Sequence, residues 1–241
     1  MNFKTRNTES ELMDDPNLDE PSLLKVLKDI NTSNKLLGGT KITLRAMLKL
    51  MDENPREVYT VVDMGCGDGE MLREAALLCR EKKHKANLVG IDLSNAAIKI
   101  AKERSSGFPE ITFLQQDILT LNTSTFVCDI LLCTLTMHHF SNQQIPVFLT
   151  KFGKLARIGT IVNDLQRSSL AYALFKAFSA IFIKTKIAKH DGLVSIQSGF
   201  TKKELVVFSK GLQHLQHAVH WKWAFRYLWV ITPPATDYAN E

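Results

Sequence analysis

No C-x-x-C pair occurs in this 241-residue chain, and no tract of five to eight basic residues. Four cysteines without pair spacing (Cys66, Cys79, Cys128, Cys133) read as reduced, buried thiols of a cytosolic protein. A net charge of +5 that is spread along the chain does not favour nucleic-acid binding. The opening MNFKTRNTESELMDDPNLDE lacks the apolar core of a secretion signal, so no export is expected and the expected location is cytoplasmic. The longest apolar stretch, Ser169–Ile183, has 15 residues and one charge, short of the roughly 20 needed to span a bilayer. Repeats and low-complexity tracts are missing too. What remains is 45% hydrophobic residues, enough for one well-buried domain with an appendage and too little chain for two full domains.

Apolar runs and helical patterns alternate along most of the chain. Asp19 caps a predicted helix from Pro21, with Leu23, Leu24, Val26, Leu27 and Ile30 on one stripe, stopped by Gly38-Gly39. A second helix is predicted near Leu44–Met51, closed by Pro55. Strands at Val58–Met64, Asn87–Asp92, Ile111–Gln116, Val127–Thr134 and Thr160–Leu165 are then interleaved with helices at Glu70–Lys83, Asn95–Arg104 and Asn142–Ala156. Such alternation implies an α/β fold with a parallel sheet covered on both faces. After a gap come helix Lys202–Lys210 and two strands, Leu215–His220 and Phe225–Thr232, spaced as antiparallel neighbours.

The first strand runs into Asp63-Met64-Gly65-Cys66-Gly67-Asp68-Gly69-Glu70. Glycines at alternate positions allow a sharp turn and close approach of a ligand to the main chain. The dinucleotide pattern G-x-G-x-x-G is broken, because its last position holds Glu70. What stands here, D-x-G-x-G-x-G, resembles the first motif of the class I S-adenosylmethionine (SAM)-dependent methyltransferases, a likeness extending from about residue 58. The resemblance implies a Rossmann-like seven-stranded sheet, five parallel strands plus a C-terminal antiparallel hairpin. It also implies SAM as cofactor and S-adenosylhomocysteine (SAH) as product. Cofactor contacts are expected at Asp63, Gly65, Cys66, Gly67, Gly69, Asp92, Leu93, Asp117, Ile118 and Thr134. Asp92 would face the ribose hydroxyls and Asp117 the adenine amino group; a lone acid in either place is more often a helix cap or turn residue, so the three acids count together. No metal is expected.

The fourth strand ends in Thr134-Leu135-Thr136-Met137-His138-His139-Phe140, without the [DN]-P-P-[YFW] cluster that amino-methylating enzymes of nucleic acids carry. The H-H-F resembles a small-molecule branch related to quinone-biosynthesis methyltransferases, although a Pro-Gly-Gly turn common there is replaced by Leu155-Ala156-Arg157-Ile158-Gly159. His138, His139 and His190 are the candidate general bases. Adjacent histidines cannot both face a substrate, so at most one of the first two acts. His190-Asp191-Gly192 reads as a turn in a polar loop. Arg167 reads either as a phenolate stabiliser or as a solvated turn residue.

The domain plan is an N-terminal helical cap over 1–55 and a methyltransferase domain over 56–241, with a lid insertion at 166–200. Within the lid the apolar Ser169–Ile183 helix packs on the core, roofs a greasy acceptor pocket, or touches a membrane surface through Lys184, Lys186 and Lys189. Leu37-Gly38-Gly39 after an Asp29-Ile30-Asn31 helix, the Asn163–Ser168 strand ending, His190-Asp191-Gly192 and Phe225-Arg226-Tyr227 together resemble a bacterial group found alongside type III polyketide synthases, some members of which methylate phenolic lipids. That implies O-methylation of a small, apolar aromatic or phenolic acceptor. A phenol near pKa 10 is only ~0.1% ionised at pH 7, so a base would matter. C-methylation of a quinone precursor and a non-catalytic SAM-binding protein stay open, and the sequence does not set the oligomeric state.

Overall fold

The computed structural model describes residues 2–122 and 126–234. Five parallel strands, β1 (Tyr59–Met64), β2 (Ala86–Asp92), β3 (Ile111–Gln115), β4 (Cys128–Thr134) and β5 (Ala156–Leu165), join the hairpin β6 (Gln216–Lys222) and β7 (Arg226–Thr232) in one sheet. The order is β3-β2-β1-β4-β5-β7-β6, with β7 antiparallel to both its neighbours. This is the predicted seven-stranded arrangement. The order reverses between β1 and β4, which opens a crevice at the carboxyl ends of the strands.

Both faces are covered, so the central strands have no water-facing side. β4 is buried from Cys128 to Cys133, a continuous apolar run broken only by Asp129. On one face lie α3 (Glu70–Lys82) and α4 (Asn95–Arg104), whose Leu72, Ala75, Ala76, Ile98 and Ala101 pack with Val61, Ile130 and Ile161 of the sheet. On the other lies α5 (Gln144–Leu155), whose Ile145, Phe148, Leu149, Phe152 and Leu155 repeat at helical spacing. α8 (Lys202–Ser209) joins that face through Leu205 and is closed by a capping box between Thr201 and Glu204. All four cysteines are free and buried, as expected. Burial pushes the Cys128 thiol up to about 12 and Cys79 to about 11, so neither carries a thiolate at neutral pH.

One further helix lies at the carboxyl ends of the strands, and another starts there and runs down the sheet face that α3 covers. α1 (Glu20–Leu36) starts where the Asp19 carboxylate accepts the Ser22 N–H at 2.9 Å, and buries Leu23, Val26 and Leu27. Leu24, placed on the same stripe from sequence, is exposed. α2 (Gly39–Glu53) begins well before the predicted Leu44, because its first turn hides polar groups and not apolar ones. Thr43 Oγ1 lies 3.0 Å from Thr134 Oγ1 and accepts from Asn163 Nδ2 at 3.0 Å.

The insertion folds as α6 (Ser169–Phe182) and α7 (Lys186–Ser198). His190-Asp191-Gly192 is therefore inside a helix and not in a loop. Thr185 caps α7, and Gly192 sits where a Cβ would come within 2.3 Å of the Phe175 ring, so the glycine serves helix packing and not a turn. The inner side of α6 does find something to bury against: Phe175, Phe178 and the following Ile183 pack with Val26 and Ile30 of α1 and Ala188 of α7.

Candidate active site

The glycine turn sits at the carboxyl end of β1 and feeds α3. Gly65, Gly67 and Gly69 have φ of +77°, +53° and +74°, the left-handed region that side chains resist. At Gly65 a Cβ would also lie 2.4 Å from Thr136. The N–H groups of Gly65 and Cys66 donate to Ile91 O at 2.8 and 3.1 Å. That of Gly67 donates to Asp92 Oδ2 at 2.8 Å, and Asp92 Oδ1 accepts from Ser94 N–H at 2.9 Å. Turn and second strand end are thus tied into one unit. Cys66 is buried and leans toward Gly90, where a Cβ would meet its sulfur at 2.7 Å.

Asp63 is 2% exposed and its Oδ1 has no hydrogen-bond partner among the described residues. Burial, with Asp92 nearby, pushes its carboxyl up to about 7. Asp92 is raised as well, chiefly by burial, with the Ser94 and Gly67 N–H groups opposing and Asp14 adding repulsion. An orphaned carboxylate oxygen among crowded acids fits a cationic ligand, which would relieve both the desolvation and the repulsion. Of the remaining expected contacts, Asp117 Oδ1 accepts the Leu119 N–H at 2.8 Å in the turn after β3, Ile118 is buried, Leu93 is largely exposed and Thr134 is engaged with Thr43.

An N-terminal strap crosses over this crevice. Arg6 donates to His138 O and Ser198 O at 2.8 Å each, and Leu12 and Met13 N–H groups donate to the Asp191 carboxylate at 2.9 Å. Glu11 is buried and accepts from Ser195 Oγ and, at 3.3 Å, from His138 Nε2. The other ring nitrogen, His138 Nδ1, meets Asp164 Oδ1 at 2.7 Å. Burial works against a charged His138, but Asp164 and Glu11 outweigh it and push the imidazole up to about 10. Both ring nitrogens of His138 face carboxylates, so it clamps the strap to the end of β5.

His139 is stacked on it, ring centroids 4.4 Å apart, with its side chain 31% exposed, Nδ1 3.4 Å from Asp14 and Nε2 3.9 Å from Glu11. His190 points elsewhere, toward Asp191 at 3.1 Å and Glu9 at 3.7 Å.

The clamp has a pH signature. A raised His138 pKa contributes stability that is fully present below the ordinary value of 6.5 and is lost as pH rises toward about 10. Glu11 and Asp164 are held below the carboxylate range, so their share fades only in acid. Hydrogen exchange at the Leu12 and Met13 amides, corrected for intrinsic rate, is expected to speed up by on the order of tenfold between pH 7 and 10. In Glu11→Gln it is expected to be fast already at pH 7.

Sequence reasoning missed this strap, since Glu11 and Asp14 lie in a polar stretch with no periodicity. Arg167 is neither a phenolate stabiliser nor solvated: it is buried and donates to Phe3 O, Gly199 O and Glu204 at 3.1, 2.6 and 2.6 Å. Asp68 and Asn31 were missed as well. Asn31 Nδ2 reaches both Asp68 oxygens at 2.9 Å, pinning α1 to the glycine turn, and Arg104 closes on Asp68 from α4. Around Gly39 gather Asn34, Asn163 and Arg226, each buried with unpaired polar atoms among the described residues.

Residues 61–159 match a family model described as a methyltransferase domain. That span runs from β1 into β5, through the glycine turn and all three acids. Residues 61–159 form a methyltransferase domain.

Curated relatives of this domain include 2-phytyl-1,4-naphtoquinone methyltransferase of Thermosynechococcus vestitus, 37% identical over 62 residues (26% of this chain, 26% of that protein). Another is malonyl-[acyl-carrier protein] O-methyltransferase of Halalkalibacterium halodurans, 32% identical over 101 residues, or 39% of this chain and 36% of that protein. The chain thus spans about a quarter to a third of these relatives' lengths. Among solved structures, the plantazolicin methyltransferase BpumL in complex with SAH superposes with TM-score 0.66 at 16% identity, covering 88% of this chain and 91% of that one. Magnesium protoporphyrin IX methyltransferase from Synechocystis PCC 6803, with bound SAH, gives 0.56 at 14% identity, covering 81% and 83%. At such identities the likeness is one of fold. No helix among the described residues is long and apolar enough to cross a membrane.

Proposed function

We propose that this domain uses SAM to methylate a small, lipophilic aromatic or phenolic acceptor, on oxygen. The observation that carries the cofactor reading is Asp63, a buried carboxylate with an orphaned oxygen beneath a left-handed glycine turn. Asp63 and the turn would hold the methionine end, Asp92 the ribose and Asp117 the adenine edge. The cofactor supplies a methyl group on a positively charged sulfur, already a good leaving group. Residues 1–55 act as a cap and 166–200 as a lid, so strap, α1 and α6–α7 exclude water and align the acceptor.

Within this reading His139 is the general base. Its ring is partly exposed beside the crevice, whereas His138 is clamped on both nitrogens and His190 faces Asp191 and Glu9. His138 positions its neighbour through the stacked rings. Arg226, with Asn34 and Asn163, offers unpaired donors and acceptors for a polar group of the acceptor. C-methylation of a quinone precursor is the second reading, and a relative named as a naphthoquinone methyltransferase supports keeping it.

Transfer of labelled methyl to a panel of alkylresorcinols and hydroxyquinones, with the product mapped by NMR, tests the proposal. A methoxy product is expected, and a ring methyl would overturn O-transfer. His139→Asn is expected to lower kcat by on the order of a hundredfold with KM for SAM unchanged. A loss under tenfold would remove the base and leave alignment alone.

A further inference from the structure

We propose that the outer face of α6, with the tip of the β6–β7 hairpin, docks on the surface of an anionic lipid bilayer. The proposal is independent of which acceptor is methylated.

α6 is apolar on two sides, and only one of them is covered. The exposed side carries Leu170, Ala173, Leu174, Ala177, Ala180 and Ile181, the i, i+3, i+4, i+7 spacing of a single stripe. Leu170 is 58% exposed, Leu174 46% and Ile181 77%, with Phe182 at 48% beside them. Single exposed apolar residues are ordinary on a soluble surface, but a contiguous stripe along a whole helix marks a contact surface.

The flanking charge says what it contacts. From Gln166 to His190 there is no Asp or Glu, while Lys176 borders the stripe and Lys184, Lys186 and Lys189 follow its end. None of these four lysines has an ion-pair partner among the described residues. Apolar side chains in a plane flanked by unpaired lysines match the interface of an anionic membrane, where the stripe enters the acyl boundary and the ammonium groups meet lipid phosphates. A second copy of the chain fits less well, because a two-fold pairing through this face would bring two all-basic surfaces together.

The hairpin adds an independent feature. Trp221 and Trp223 are 50% and 65% exposed, and Trp221 Nε1 donates to Gln166 Oε1 at 2.8 Å, two residues before the Ser168 cap of α6. Exposed tryptophans beside the helix start are suited to the headgroup level of a bilayer.

Co-sedimentation of the full chain with vesicles tests this. Binding is expected to equimolar phosphatidylglycerol/phosphatidylcholine vesicles, to fall steeply with added salt, and to be negligible on phosphatidylcholine alone. Leu174→Ser/Ile181→Ser and, separately, Lys184→Gln/Lys186→Gln should each weaken binding by about tenfold or more. Circular dichroism and SAH binding serve as controls that the variants still fold, since all four side chains are exposed. No sedimentation with the anionic vesicles would overturn the proposal, as would binding that neither double variant weakens. A stable dimer in light scattering that dissociates in Leu174→Ser/Ile181→Ser would assign the stripe to a second copy instead. Failure of any of these leaves the methyl-transfer assay in solution untouched, so the two readings fail separately.

Discussion

Asp63→Asn is expected to weaken SAM binding by about a hundredfold or more while making the free protein more stable. Removing one partner of a buried charge pair costs roughly 2–5 kcal/mol in the complex. Without ligand the same carboxylate is a burden, since it is buried beside Asp92 with an unpaired oxygen. Its pKa is raised, so the stability it contributes is fully present only below the usual carboxylate range and is lost as pH rises through about 7. At pH 8 an asparagine there recovers part of that loss, and each kcal/mol recovered raises Tm by about 2–4 °C. In the wild type, affinity for SAM should climb by up to about tenfold per unit between pH 5 and 7, as Asp63 ionises, and flatten above it. Calorimetric titration across pH, with thermal melts of both proteins, reads all of these. A destabilised Asp63→Asn that still binds SAM would mean the carboxylate is structural.

Gly65→Ala carries the second large effect. The left-handed φ of +77° penalises any side chain by about 1–2 kcal/mol, and the new methyl would sit 2.4 Å from Thr136 Oγ1 and Cγ2. The resulting displacement of the turn adds about 1–3 kcal/mol. Together these predict a Tm lower by roughly 5–15 °C and loss of cofactor binding. The two causes are separable: Gly65→Ala/Thr136→Ala should regain the steric part and keep the φ penalty. A Gly65→Ala protein that melts and binds like the wild type would show that the turn tolerates a side chain.

The glycine-turn side of the crevice was legible because its signals are local. β1 runs directly into glycines whose spacing allows a sharp turn, and Asp92 and Asp117 stand at the ends of short apolar runs. Helix Asn95–Arg104 was read to the residue, and the structure adds its cap, Ser94, whose side chain accepts the Ala97 N–H. The other side was not legible, because it rests on contacts between residues far apart in the chain. Glu11 reaches His138 and Ser195, and Asp191 takes the Leu12 and Met13 amides. Nothing in the local pattern of a polar N-terminal stretch announces this. The start of α2 was hidden because Thr40 and Thr43 face inward as hydrogen-bonding groups, which a hydrophobic period cannot register. His190-Asp191-Gly192 misled for a related reason: Gly192 is small to admit Phe175, and only packing shows it.

The central claim is that the turn and its three acids hold SAM and not a dinucleotide. Titrating SAH and NAD separately into the full chain by calorimetry tests it most directly. A saturable one-site heat with SAH and none with NAD is the predicted result; no heat with SAH, or saturable binding of NAD, would contradict it.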